Sequence, residues 1–103
     1  MKNAARVFRA LADPTRRQIL QELKDGELTA GAIVERFPIS GPSISRHLAV
    51  LRAADLVRER RDGNRIFYRL EAEQLAAQVS DFLSQVCPTQ FVYRRDRRSR
   101  GAS

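Results

Sequence analysis

The chain has 103 residues, 43% of them hydrophobic and 30% charged, which suits one domain with a modest core. Its formal net charge of +7 points to a polyanionic partner, either nucleic acid or an acidic membrane surface. The single cysteine, Cys87, excludes an internal disulfide, and no stretch has the roughly 18 apolar residues of a membrane span or the make-up of a signal peptide, so a cytoplasmic protein is expected.

Ala4, Val7, Phe8 and Leu11 fall at helical spacing and predict a first short helix over residues 3 to 11. Asp13-Pro14 then starts a second, with Asp as N-cap and Pro at the first helical position. Ile19, Leu20 and Leu23 form its apolar stripe, and Gly26 stops it. Thr29 caps a third helix with Ile33, Val34 and Phe37 on its inner side, ended by Pro38. Ser40 caps a fourth, in which Ile44, Leu48 and Leu51 recur at i, i+4 and i+7. Three helices joined by such short connections are what a helix-turn-helix requires.

The pattern then changes. Arg58-Glu59-Arg60-Arg61 runs into Asp62-Gly63, and Arg65-Ile66-Phe67-Tyr68-Arg69-Leu70 follows. Asp-Gly between two β-prone runs predicts a tight hairpin, because glycine tolerates positive φ. A last helix begins near Glu71, carries Leu75, Val79, Phe82, Leu83 and Val86 as a long apolar stripe, and ends at Pro88. The fold class is therefore mainly α with a β-hairpin, in the order of a winged helix-turn-helix.

The fourth helix carries the chemistry. With Ile44 at 0°, Arg46 falls at about 200° and Ser43 at about 260°, facing away from the core. Pro42 and Ala49 share that outer side, so it presents small residues and one arginine to a major groove, where Arg pairs with guanine and Ser reaches bases or phosphates. The turn Ser40, Gly41, Pro42, Ser43 lies closest to the DNA, and its free N–H groups favour a phosphate. The hairpin arginines Arg58, Arg60, Arg61 and Arg65 flank the groove and neutralise phosphates. Arg16 and Arg17, in the first turn of the second helix, oppose the helix dipole; either a phosphate accounts for one of them or both are solvated surface charge. His47 sits at the wheel's edge and either touches DNA or packs at the boundary.

The strings "FRALADPTRRQILQEL", "ELTAGAIVERFPISGPSISRHLAVLRAADLV" and "RERRDGNRIFYRL" resemble the ArsR-type repressors, in order and over residues 6 to 70. The segments "GELTAG" and "ISGPSISRHL" resemble that family's metal-independent, autorepressor-like branch. The resemblance implies a homodimer built from the first and last helices, bound to a palindromic operator in double-stranded DNA and released by an inducing signal. It places DNA contacts on Ser40, Gly41, Pro42, Ser43, Ser45, Arg46 and His47, with Arg65 at the wing. Val7, Phe8, Leu75, Val79, Phe82, Leu83 and Val86 are the expected dimer contacts, and the stripe on the last helix points the same way, being wider than one short helix needs.

Metal-sensing relatives carry Cys-x-Cys near the third helix or His and acidic ligands on the last. Here Leu28 to Ala32 offer no thiolate and the last helix has no His, so no metal site and no cofactor are expected. Gly41 stands where relatives often have a polar side chain such as Gln. Residues 1–90 are expected to form the DNA-binding and dimerisation domain, and residues 91–103 a basic, disordered tail with five arginines between 94 and 100. Two alternatives stay open: a winged-helix module for protein or RNA, and a repressor responsive to oxidation of Cys87. No nucleophile–base pair, paired acids or glycine-rich phosphate loop argues for an enzyme.

Overall fold

A computed structural model describes residues 2–88. Five helices and a small sheet follow in the order α1 (Lys2–Leu11), α2 (Pro14–Glu22), β1 (Leu28–Thr29), α3 (Ala30–Glu35), α4 (Gly41–Ala53), β2 (Val57–Asp62), β3 (Arg65–Leu70) and α5 (Ala72–Val86). The expected basic tail, residues 91–103, lies outside the described residues.

Local chemistry sets the helix starts. Asp13, Thr29 and Ser40 each sit in extended backbone and accept a hydrogen bond from the N–H three residues on, of Arg16, Ala32 and Ser43 respectively. Pro14 and Pro42 occupy first-turn positions that need no donor. α4 ends with Asp55 at φ 61°, and the Leu56 N–H reaches back to the Leu51 carbonyl at 3.0 Å. That left-handed residue turns the chain sharply from α4 into β2.

The core is built from all the helical layers except α5. Val7 and Ala10 of α1, Ile19 and Leu20 of α2, Leu23 just after it, Ile33 of α3, Ile44, Leu48 and Leu51 of α4, and Ala54, Leu56 and Val57 beyond it are buried. α3 is shorter than its apolar pattern predicts: it closes at Glu35, and Phe37 packs on the core from beyond the helix.

The hairpin pairs in register from Val57↔Leu70 to Asp62↔Arg65, with Gly63 at φ 65° in the turn. The sheet has a third strand that the sequence pattern does not announce. Leu28 and Thr29 pair antiparallel with Tyr68 and Phe67, giving the order β1-β3-β2. Because partners share a face, Val57, Glu59 and Arg61 lie with Leu70, Tyr68 and Ile66 on the core side, whereas Arg58, Arg60 and Asp62 lie with Arg69, Phe67 and Arg65 on the outer side.

No residue of α5 is buried. Phe82 is 43% exposed and Val86 62%, and Leu11, Leu75, Val79 and Leu83 line an open apolar groove between α1 and α5. Phe8, itself 37% exposed, meets Phe82 edge to face, with ring centroids 5.0 Å apart. No helix of the described residues is long and apolar enough to cross a membrane.

Candidate nucleic-acid interface

α4 divides cleanly. Ile44, Leu48 and Leu51 are buried, while Pro42, Ser45, Arg46, Ala49, Arg52 and Ala53 are exposed. The first turn is linked internally. The Ser40 hydroxyl donates to the Ser43 hydroxyl at 3.1 Å, and Arg46 Nη2 donates to that same Ser43 oxygen at 3.3 Å. Three residues expected to read DNA therefore stand in one chain along the helix surface.

The expected row of free N–H groups at the start of α4 is shorter than the sequence suggests. Pro42 has no N–H, and the Ser43 N–H is taken by Ser40 Oγ at 3.2 Å. Within the described residues this leaves Ser40 and Gly41 as the turn's unbonded backbone donors. Nothing lies within 4 Å of where a Cβ at Gly41 would stand, so that surface is open.

The wing arginines fall into two groups. Arg60 is held in a two-point pair by Glu27, Nε to Oε2 at 3.0 Å and Nη2 to Oε1 at 2.8 Å, and its guanidinium carbon stands 4.4 Å from the centre of the Phe67 ring. The Arg60 guanidinium holds the Glu27 carboxyl below the usual carboxylate range. Arg58 pairs with Glu71 at 3.1 Å, and Arg69, its partner across the hairpin, reaches the same carboxylate at 3.4 Å. Arg61 and Arg65 form no salt bridge within the described residues. Arg65 lies on the outer face near Phe67, with its guanidinium carbon 5.3 Å from the ring centre. Of the four arginines expected to neutralise phosphates, Arg60 and Arg58 already have carboxylate partners, and Arg61 lies on the opposite face from the other three.

Three carboxylates that the sequence pattern does not single out hold the wing. Besides Glu27 and Glu71, Glu59 bridges Arg52 of α4 at 2.8 Å and the Tyr68 hydroxyl, which donates to it at 2.9 Å. Burial and this hydrogen bond raise the Tyr68 pKa. The two-residue turn is Gly63-Asn64, one position past the Asp-Gly expected, so Asp62 pairs with Arg65, and Glu59 and Arg60 fall beside Tyr68 and Phe67 rather than beside Ile66 and Arg65.

Arg16 is also reassigned. Its Nε donates to the Ala10 carbonyl at 2.8 Å and its Nη2 to the Arg9 carbonyl at 3.0 Å, both at the C-terminus of α1. Arg17 does the same for the Leu11 carbonyl at 2.7 Å. The two arginines that oppose the dipole of α2 thus satisfy the carbonyl end of α1, where positive charge is favoured. The third nitrogen of Arg16, Nη1, lies 3.2 Å from His47 Nδ1, so His47 is tied to α2 as well as to α4.

The expected dimer contacts also divide. Val7 is fully buried among the core residues and is unavailable to a second chain, because it faces inward one helical step from Phe8. Phe8, Phe82 and Val86 remain exposed, with Leu75, Val79 and Leu83 half-buried beside them. Cys87 caps α5 and is half-buried. No three His, Cys, Asp or Glu side chains cluster among the described residues in a way that could hold a metal ion.

Comparison with known proteins agrees with this architecture. A helix-turn-helix domain family matches residues 11–60. The transcriptional repressor SdpR of Bacillus subtilis is 46% identical over 78 residues, covering 76% of this chain and 87% of SdpR. The HTH-type transcriptional regulator KmtR of Mycobacterium tuberculosis is 52% identical over 75 residues, covering 73% of this chain and 58% of KmtR. The solved structure of an ArsR-like transcriptional regulator from Rhodococcus sp. RHA1 superposes with a TM-score of 0.72 at 32% identity, covering 98% of this chain and 90% of that one.

Proposed function

The chain belongs to the ArsR family of winged helix-turn-helix transcriptional regulators, and from that premise we propose that it works in the cytoplasm as a homodimer on a palindromic operator, with α4 in the major groove and the wing along the flanking backbone. The family is one of DNA-binding regulators rather than enzymes. Repression is the sign supported by relatives such as SdpR.

The observation that carries the reading is the exposed side of α4. It offers Ser45, Arg46 and Ala49 beside the Ser40–Ser43 turn, with nothing large and apolar and no carboxylate. A module for another protein would present apolar or acidic residues there. Arg46 fits a guanine edge, Ser43 and Ser45 fit bases or phosphates, and the Ser40 and Gly41 N–H groups fit one phosphate oxygen. At the wing, Arg65 on the outer face is the phosphate contact, with Arg58 and Arg60 in support and Arg61 on the other face of the hairpin. Phe8, Leu75, Val79, Phe82, Leu83 and Val86 meet their counterparts across the dimer axis, which would cover the α1–α5 groove.

Footprinting on the region upstream of the protein's own gene tests this. Two protected half-sites about one helical turn apart, roughly 34–36 Å, are expected. Arg46→Ala should lower operator affinity about tenfold more than affinity for random DNA. Equal affinity of the wild type for operator and random duplexes would refute sequence-specific regulation.

A further inference from the structure

The three donors of Arg16 join parts of the molecule that the DNA-binding reading treats separately. Two of them hold the last carbonyls of α1, and the third meets His47 on α4. α1 in turn touches α5 through Phe8 and Phe82. A continuous path therefore runs from the exposed apolar helices, through one guanidinium, to the helix that faces DNA.

The chemistry of the link is directional. A guanidinium donates only and does not give up its proton in a protein. His47 Nδ1 at 3.2 Å from Arg16 Nη1 must then accept, which puts the ring proton on Nε2. Asp13 Oδ2 is farther from the same nitrogen, at 3.8 Å, beyond hydrogen-bond reach. Asp13 instead accepts from the Arg16 backbone N–H at 3.1 Å and so fixes the turn that carries the Arg16 side chain. The His47 side chain is 21% exposed. With Nδ1 turned inward to α2, its outer edge is the Nε2–H.

We propose that Arg16 is a positioning residue for DNA binding. It holds His47 as the Nε2–H form with that proton directed at a DNA phosphate, and it ties the aim of His47 to the position of α1. The proposal rests on the DNA-binding reading above and adds a route by which a change at the α1–α5 face reaches the DNA face.

The test is a double-mutant cycle on the full chain, measured with the footprinted operator duplex. His47→Asn keeps an acceptor near the Nδ1 position and removes the Nε2 donor. It should bind about tenfold more weakly with an unchanged melting temperature. Arg16→Met should lose a similar factor, and Arg16→Met/His47→Asn should lose no more than either single variant. The salt dependence should keep its wild-type slope in all three, because a neutral ring N–H releases no counterion and Arg16 itself touches no phosphate. If Arg16→Met fails to fold, Arg16→Lys takes its place in the cycle: one ammonium can hold an α1 carbonyl but cannot span to His47. Additive losses would overturn the coupling. A salt slope reduced by about one in the Arg16 variant would make Arg16 a direct phosphate contact instead. Full operator affinity in His47→Asn would remove the histidine from DNA binding. Failure of the wild type to prefer its operator would defeat the DNA reading itself, a result distinct from these.

Discussion

Glu27 grips Arg60 at two points, 2.8 and 3.0 Å, from a position 33 residues earlier in the chain. Glu27 lies just before β1 and Arg60 in the middle of β2, so the pair clamps the two edges of the sheet over Phe67. An arginine so engaged supports the wing more than it binds a phosphate. Arg65→Ala should therefore lower the salt slope of DNA binding by about one, and Arg60→Ala should leave it nearly unchanged. Arg60→Ala should instead increase proteolytic cleavage at the hairpin. Equal slopes for the two variants would show that Arg60 leaves Glu27 to bind DNA.

Acid should loosen the molecule through the same kind of pair. The backbone N–H of Arg16 chiefly holds the Asp13 pKa down, with the Arg16 charge adding to it, and Arg36 and Arg60 do so for Glu22 and Glu27. A carboxylate with a depressed folded pKa stabilises the fold fully above its unfolded pKa and loses that contribution as pH falls through the folded value. The melting temperature should stay level from pH 7 to about pH 5 and fall below it. Asp13→Asn keeps a good N-cap but cannot titrate, so its acid loss should be shallower than the wild type's. Identical acid profiles would exclude Asp13 as a contributor.

The α1–α5 face yields a prediction about assembly. Phe82→Glu places a charge in the middle of the exposed apolar stripe, beside Phe8. No residue of α5 is buried, and Leu75, which packs on the core, is left in place, so the helical content should survive. Sedimentation at micromolar concentration should show a dimer for the wild type and a monomer for the variant, with operator affinity lost because only one half-site is engaged. A wild-type monomer would end the dimer reading.

What the sequence made legible is what is local. The caps Asp13, Thr29 and Ser40 and the i, i+4, i+7 spacing of Ile44, Leu48 and Leu51 lie within one or two helical turns. What stayed hidden depends on distant partners. β1 is two residues long and is a strand only because Tyr68 and Phe67 pair with it. Arg16 is visible as a charge out of place in its own helix, yet the carbonyls that explain it belong to α1. Val7 and Phe8 are adjacent apolar residues, and periodicity alone does not say that the core takes the first and leaves the second at the surface.

Metal should have no effect on DNA binding. Of the strong ligands, His47 Nδ1 is occupied by Arg16 and Cys87 stands alone at the end of α5. Zinc needs three or four converging nitrogen, sulfur or carboxylate ligands. Operator affinity should be the same after zinc addition and after chelation. A clear change in either direction would reveal a ligand set not recognised above.

Gly41 offers the most direct test of how α4 reads bases. It is the first residue of the helix, its backbone needs no left-handed conformation, and the space a Cβ would occupy is open. Glycine therefore satisfies no steric demand here and leaves a surface where a longer side chain would reach outward. Gly41→Gln should leave stability within about 0.5 kcal/mol. A glutamine amide can donate to adenine N7 and accept from the adenine N6 amino group as a bidentate pair, which is worth about 1–3 kcal/mol of discrimination. Selection from a randomised operator library should then show a new adenine preference of about tenfold or more at one position in each half-site, symmetric about the dyad. An unchanged preference profile would place residue 41 away from the base edges and shift base reading to Arg46 and Ser45.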